Sequence, residues 1–206
     1  MGKYLDRKRF IEQKLKDALA GAAATLNAAV DASAVYTADK RRHVLNEATD
    51  SYKARTARPR EAAISQEKQM FSELAQAVED ALTAPPSAEA LRYLEALSMN
   101  PSVTARDIEG AAGFVSGNAA AEAALAGIAE KNGLGMTLGF GPAPPIREIQ
   151  AGLEEFRTSR EERILKVAQP GADFKIDDWS LDTFMPDASH KALDEAEAIL
   201  ERYGAK

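Results

Sequence analysis

Residues 3–56 read KYLDRKRFIEQKLKDALAGAAATLNAAVDASAVYTADKRRHVLNEATDSYKART, and the fold turns on how this stretch is read. An apolar stripe returns along it every eleven residues. Ile11, Ala22 and Val44 share one line, Leu15, Leu26 and Ala48 a second, and Leu19, Val30 and Tyr52 a third. Eleven residues over three turns is about 3.67 per turn, so such a stripe keeps to one face of a nearly straight rod. The spacing predicts one helix over the whole stretch, ~80 Å long at 1.5 Å per residue. A rod of that length points to a spacer, an assembly arm or a long hairpin. The stripe weakens between Ser33 and Arg42, where Thr37 and Arg41 take expected apolar positions. That marks a polar break in the packing or a bend.

Pro59 is the next punctuation, since proline lacks the amide donor and clashes with the preceding turn. It either starts a helix or kinks one. Ile64, Phe71, Leu74, Val78 and Leu82 then give a second amphipathic helix over 60–83. This helix either folds back on the first as a hairpin or continues it, and it ends at Ala84-Pro85-Pro86. Three short helices follow in 87–133, with Ser87, Thr104 and Asn118 as caps. Thr104 with Asp107 is a variant capping box, and Asn132-Gly133 is an expected stop. Residues 134–145 are a Gly/Pro linker. Helix resumes over 146–167 and again from Ser189 to Tyr203. The expected division is therefore 1–84 (rod or hairpin), 87–133 (small module), 134–145 (linker) and 146–206 (helical C-terminal region), and the fold class is all-α.

Composition narrows the chemistry. The 206 residues contain no cysteine, which removes disulfides, thiolate metal sites and cysteine nucleophiles. Aromatic residues make up only 6%, and alanine does much of the apolar work, favouring helix while burying little area per residue. No uninterrupted apolar run has the ~18 residues of a membrane span. The N-terminus lacks a signal core, and Asp6 stands where a myristoylation signal wants Ser or Thr. The expected location is the cytoplasm of a host cell or a virion. Charge is uneven: residues 1–60 hold 13 Lys/Arg against 7 Asp/Glu, and residues 61–206 hold 13 against 25. A basic arm on an acidic body suits nucleic acid or head-to-tail self-association. A solvated helix face is the plainer reading, because the basic residues alternate with acids and have few aromatic partners for stacking.

Single motifs add little chemistry. Gly133-x-Gly135 opens like a dinucleotide fingerprint, but Leu138 stands at the third glycine. Asp177, Asp178 and Asp182 lack calcium-loop spacing. His43 and His190 stand alone. Carboxylates such as Glu154 and Glu161 have Arg157 within helical reach. No cofactor, metal or catalytic residue is therefore expected. The interaction candidates are Ile11, Leu15, Leu19, Leu26 and Val30 on the stripe. Trp179 and Phe184, with Leu181 and Met185, form an anchor-like group that docks on a groove of this chain or of a partner.

The run Leu91-Arg92-Tyr93-Leu94-Glu95-Ala96-Leu97-Ser98-Met99, then Val103-Thr104 to Ile108, Phe114-Val115-Ser116-Gly117-Asn118 and Ala124 to Gly133 resembles uncharacterised helical proteins of tailed bacteriophages. Those proteins place a charged helical region before a similar short module. The resemblance covers about a third of the chain and implies a role in the virion or its assembly. It carries no functional residue across. The module is also similar in outline to ubiquitin-associated-type three-helix folds, although the spacing after Asn118 departs from them. The expected function is non-catalytic: a structural or assembly protein acting by helix-mediated self-association and contact with a coat or other partner. A nucleic-acid-binding accessory protein and an inhibitor or adaptor of a host protein are the alternatives.

Overall fold

The computed structural model describes residues 2–134, 145–166, 176 and 191–204. Among them the fold is all-α, with helices α1 (Lys3–Ala32), α2 (Ala38–Thr83), α3 (Ala88–Met99), α4 (Ala105–Val115), α5 (Ala119–Lys131), α6 (Ile146–Lys166) and α7 (Lys191–Tyr203). The chain divides into two compact units. The first is Met1–Ser72 with Glu154–His190, and the second is Glu73–Leu153 with Lys191–Lys206. The boundaries cut through α2 and α6, so the units interleave in sequence where the linear division above placed successive blocks.

In the first unit the expected single helix over 3–56 is two helices. The break lies where the stripe weakens. Ser33 occupies the stripe position eleven residues after Ala22 and is fully buried. Its hydroxyl donates to the Val30 carbonyl at 2.7 Å, a local bond that competes with continued helix. A 3-10 turn follows at Ser33–Val35, and Tyr36 is extended at φ −89° and ψ 157°. The chain then reverses. The Arg55 guanidinium donates to the Thr25 hydroxyl at 3.0 Å, and Ile11, Lys14 and Leu15 face Pro59, Ala62, Ala63 and Gln66 across a small pocket. The rod is thus a hairpin, with α2 running back along α1.

Pro59 neither starts nor ends a helix, because α2 runs through it for 46 residues. The ring deletes the bond to the Arg55 carbonyl, a cost of about 3 kcal/mol in a helix interior. Packing on both sides holds the helix: Tyr52, Thr56, Ala63, Glu67 and Met70 are all buried. The eleven-residue period itself survives in each helix. Residues 4, 8, 11, 15, 19, 22, 26 and 30 are buried in α1, and 45, 49, 52, 56, 63, 67, 70, 74, 78 and 81 in α2. Val44 and Ala48, expected on the stripe, are only half-buried; their neighbours Leu45 and Thr49 take the inward positions. The turn at 33–37 resets the phase by a residue.

One window of 18 residues within Lys3–Val35 reaches a mean hydropathy of 1.3, with 33% of it buried. Closely spaced alanines raise the average although no run is uninterrupted, and length and composition alone would allow this helix to cross a bilayer.

The second unit contains the three-helix module, which has its own core. Ala90, Leu94, Leu97, Val103, Ile108, Ala111, Val115, Ala121, Leu125 and Ala129 pack together. Each helix starts on the expected cap: Ser87 accepts from the Ala90 amide, Thr104 and Asp107 form a reciprocal capping box, and Asn118 accepts from the Ala121 amide. α5 ends in a Schellman motif, with Gly133 at φ 72° and the Leu134 amide donating to the Ala129 carbonyl at 2.8 Å. In the same unit Gly152 of α6 lies where an added Cβ would meet the Ala192 Cβ of α7 at 3.2 Å, so these helices touch almost backbone to backbone.

Candidate functional site

The five stripe candidates pack inside the first unit. Ile11, Leu15, Leu19, Leu26 and Val30 are 5% exposed or less, and Ile11 and Leu15 line the pocket beside Pro59. Their apolar surface is covered by the chain itself. Trp179 and Phe184, together with Leu181, Met185, His190 and the glycine loop from Gly135, lie outside the described residues. His43 is on the surface, its Nε2 3.3 Å from the Glu47 carboxylate.

A buried ionic group crosses the core of the first unit, and the sequence reading missed it. Lys8 Nζ lies 2.9 Å from Glu12 Oε1. One Arg160 nitrogen, Nη2, lies 2.7 Å from Glu12 Oε1 and 2.8 Å from Glu67 Oε1. The four residues are 1–9% exposed, and their charges balance. Arg160 Nη2 donates a well-formed hydrogen bond to Glu67. Glu12 Oε1 touches both cations without hydrogen-bond geometry, and Arg160 Nε has no hydrogen-bond partner. The group joins α1, α2 and α6. A signal existed: Lys8 falls on the line of Leu19 and Val30, and Glu67 on the line of Leu45, Thr56 and Val78. A charge on an apolar line is buried with a partner or breaks the line.

The second unit has a single-carboxylate hub. Glu122, 3% exposed, accepts from the Gly117 amide at 3.0 Å, from Arg202 at 2.7 Å and from the Tyr203 hydroxyl at 2.9 Å. Burial, then the Glu122 hydrogen bond and charge, push the Tyr203 hydroxyl above its usual range. With both oxygens engaged, the carboxylate fixes α7 to the turn between α4 and α5. Gly117 adopts φ 84° there, a conformation that disfavours a side chain. Beside this hub an open cleft of about 780 Å³ is lined by Asp80, Ser116, Glu201, Arg202 and Tyr203 among others.

The outer face of the module carries an exposed aromatic stack. The Tyr93 and Phe114 rings lie 4.0 Å apart at 17°, and each residue is 40% exposed. Leu91 and Met99 of the same module are 44% and 80% exposed. In a chain with 6% aromatic residues, two stacked rings open to water are a conspicuous surface. Their visibility in sequence was limited, since both flank the inward positions of short helices and read equally as core. Among the described residues no cluster of three His, Asp or Glu side chains has a metal-binding arrangement. No protein-family model, no curated protein and no solved structure matches the chain.

Proposed function

We propose that this chain is a non-catalytic structural or assembly protein of a tailed-phage particle, working through contacts with copies of itself and with a coat or other virion protein. The observation that carries the reading is the Tyr93–Phe114 stack. Stacked rings are large, rigid and partly desolvated in advance, the character of residues that dominate protein interfaces. They also lie within the stretch that resembles phage helical proteins. Residues 87–134 carry 3 basic against 6 acidic side chains, so the fitting partner surface is apolar at its centre and basic at its rim. The intended location is the host cytoplasm during assembly, or the virion.

The test is light scattering and sedimentation of the full chain at high micromolar concentration, with Tyr93→Ser and Phe114→Ser alongside. The wild type is expected to exceed monomer mass and to co-sediment with coat protein. Each variant is expected to lose that association while keeping its melting temperature within a few degrees. A wild-type monomer that ignores coat protein would sink the proposal. A salt-dependent mobility shift with nucleic acid would favour the basic hairpin as the working surface instead.

A further inference from the structure

The turn between α1 and α2 is open to water over a continuous run from Ala34 to His43. Within it Val35 is 86% exposed and Tyr36 is 37% exposed. Turns favour Gly, Asn, Asp and Ser, which accept unusual backbone angles or bond to the backbone. Valine does neither, so local structure gives no reason for Val35. The turn is nonetheless well held. The Tyr36 amide donates to the Ser33 carbonyl at 3.0 Å, and the Arg41 amide to the Thr37 carbonyl at 2.8 Å. Little ordering is therefore left to be done when it meets a partner. Lys40 Nζ lies 4.4 Å from the centre of the Tyr36 ring, and Arg41 and Arg42 follow it, with Asp39 as the one acid of the run. An apolar point is thus set in a basic collar. The Tyr93–Phe114 stack has the converse charge. Glu89 stands four residues before Tyr93 on α3, and Asp107 seven before Phe114 on α4, spacings that put each carboxylate on the helix face of its ring. Both acids are exposed. Gly110, one turn before Phe114, has nothing within 4 Å of an added Cβ. Glycine weakens a helix interior relative to alanine, and no packing within the chain asks for it there. It keeps the ground beside the rings low enough for a knob to reach them.

We infer that the α1–α2 turn of one copy docks on the Tyr93–Phe114 face of a second copy, with Val35 and Tyr36 on the rings and Lys40, Arg41 and Arg42 against the acidic rim. The inference rests on the proposed assembly role and names the occupant of the stack. Two different surfaces meet, so the contact is heterologous. Each copy keeps one turn and one ring face for the next, and copies add head to tail into rings or open chains instead of stopping at a dimer. The turn offers fewer residues than the ~20–30 that each side of a standard interface contributes, so a single contact is weak and assemblies grow with concentration. Opposite charges across the contact make that growth fall with added salt.

The experiment is sedimentation velocity on the full chain from low to high micromolar concentration. It compares the wild type, a turn variant (Val35→Ser with Tyr36→Ser) and a ring variant (Phe114→Ser). The wild-type mass is expected to grow past that of a dimer. Each variant alone keeps only one half of the contact, and its association is expected to weaken by at least about tenfold. An equimolar mixture of the two variants is expected to recover a dimer and to go no further. In that mixture the intact turn of the ring variant meets the intact rings of the turn variant, and the two damaged surfaces end the chain. If Phe114→Ser melts well below the wild type, Glu89→Arg replaces it under the same criteria, because it reverses the charge of the rim. A turn variant that associates as the wild type does, or a mixture that stays monomeric, overturns the inference and leaves the role of the rings in assembly standing. A wild type that stays monomeric yet binds coat protein through the rings overturns it in the same way. A wild type that does neither sinks both proposals.

Discussion

Leu19 is wholly buried at the centre of α1. Leu19→Asp places a carboxylate at a wholly buried apolar position, at a cost of several kcal/mol. Amide exchange is expected to show lost protection in α1 and in α2 up to Ser72, with α3–α5 retained through their own caps and core. Loss in all of these helices together would mean one cooperative body. The ionic group makes a sharper residue-scale case. Arg160→Met removes the ion-pair partner of Glu67 and leaves Glu12 beside Lys8, and is expected to cost about 3–5 kcal/mol in urea unfolding. Combining it with Glu67→Leu leaves the Lys8–Glu12 pair intact and is expected to recover most of that loss. An additive double mutant would show that the charges do not act as a group. Sequence revealed the apolar members of this core and hid the charged ones. Lys8 and Glu67 stand on the apolar lines, but patterning names no partner for a charge there, and their partners become visible only when α6 is laid against the hairpin.

At the scale of elements, the caps were legible because they are local chemistry. Ser87, Thr104 and Asn118 each need only a neighbour three residues on. Thr104→Ala is expected to lower the melting stability of the second unit by about 1 kcal/mol. The Thr104 side-chain and backbone hydrogen bonds hold the Asp107 carboxyl below its usual value. A carboxylate with a lowered folded pKa contributes stability that is present above its unfolded value and lost as pH falls through the folded one. Melting below about pH 4 is therefore expected to fall less steeply in Asp107→Asn than in the wild type; parallel curves would refute the coupling. At Pro59 the sequence left a helix start and a kink both open because local chemistry there opposes tertiary packing; the helix runs through, and packing wins. Pro59→Ala restores the donor to the Arg55 carbonyl, and a net stabilisation of about 1 kcal/mol is expected, smaller than the helix-interior cost of proline because the pocket beside Ile11 and Leu15 widens. A destabilised Pro59→Ala would show that the ring's own packing outweighs the missing bond.

At the scale of the whole molecule, helix class was readable from periodicity, while the grouping of helices was not. A division by linkers assumes that neighbours in sequence pack together. Here α2 and α6 each contribute to both units, a pattern set by contacts between residues such as Glu67 and Arg160, 93 positions apart. The eleven-residue period of the hairpin has a further consequence for size. Two matched blocks of eleven residues, one added before the 33–37 turn and one after it, advance each helix by three turns and about 16 Å and return every inward side chain to an inward position. An insertion of five residues in one arm rotates everything beyond it by about 140° and turns the core face to water. Hairpin length in this architecture is therefore a quantity that changes in steps, as a ruler is marked. Lengthened chains are expected to fold at eleven-residue increments and to fail between them.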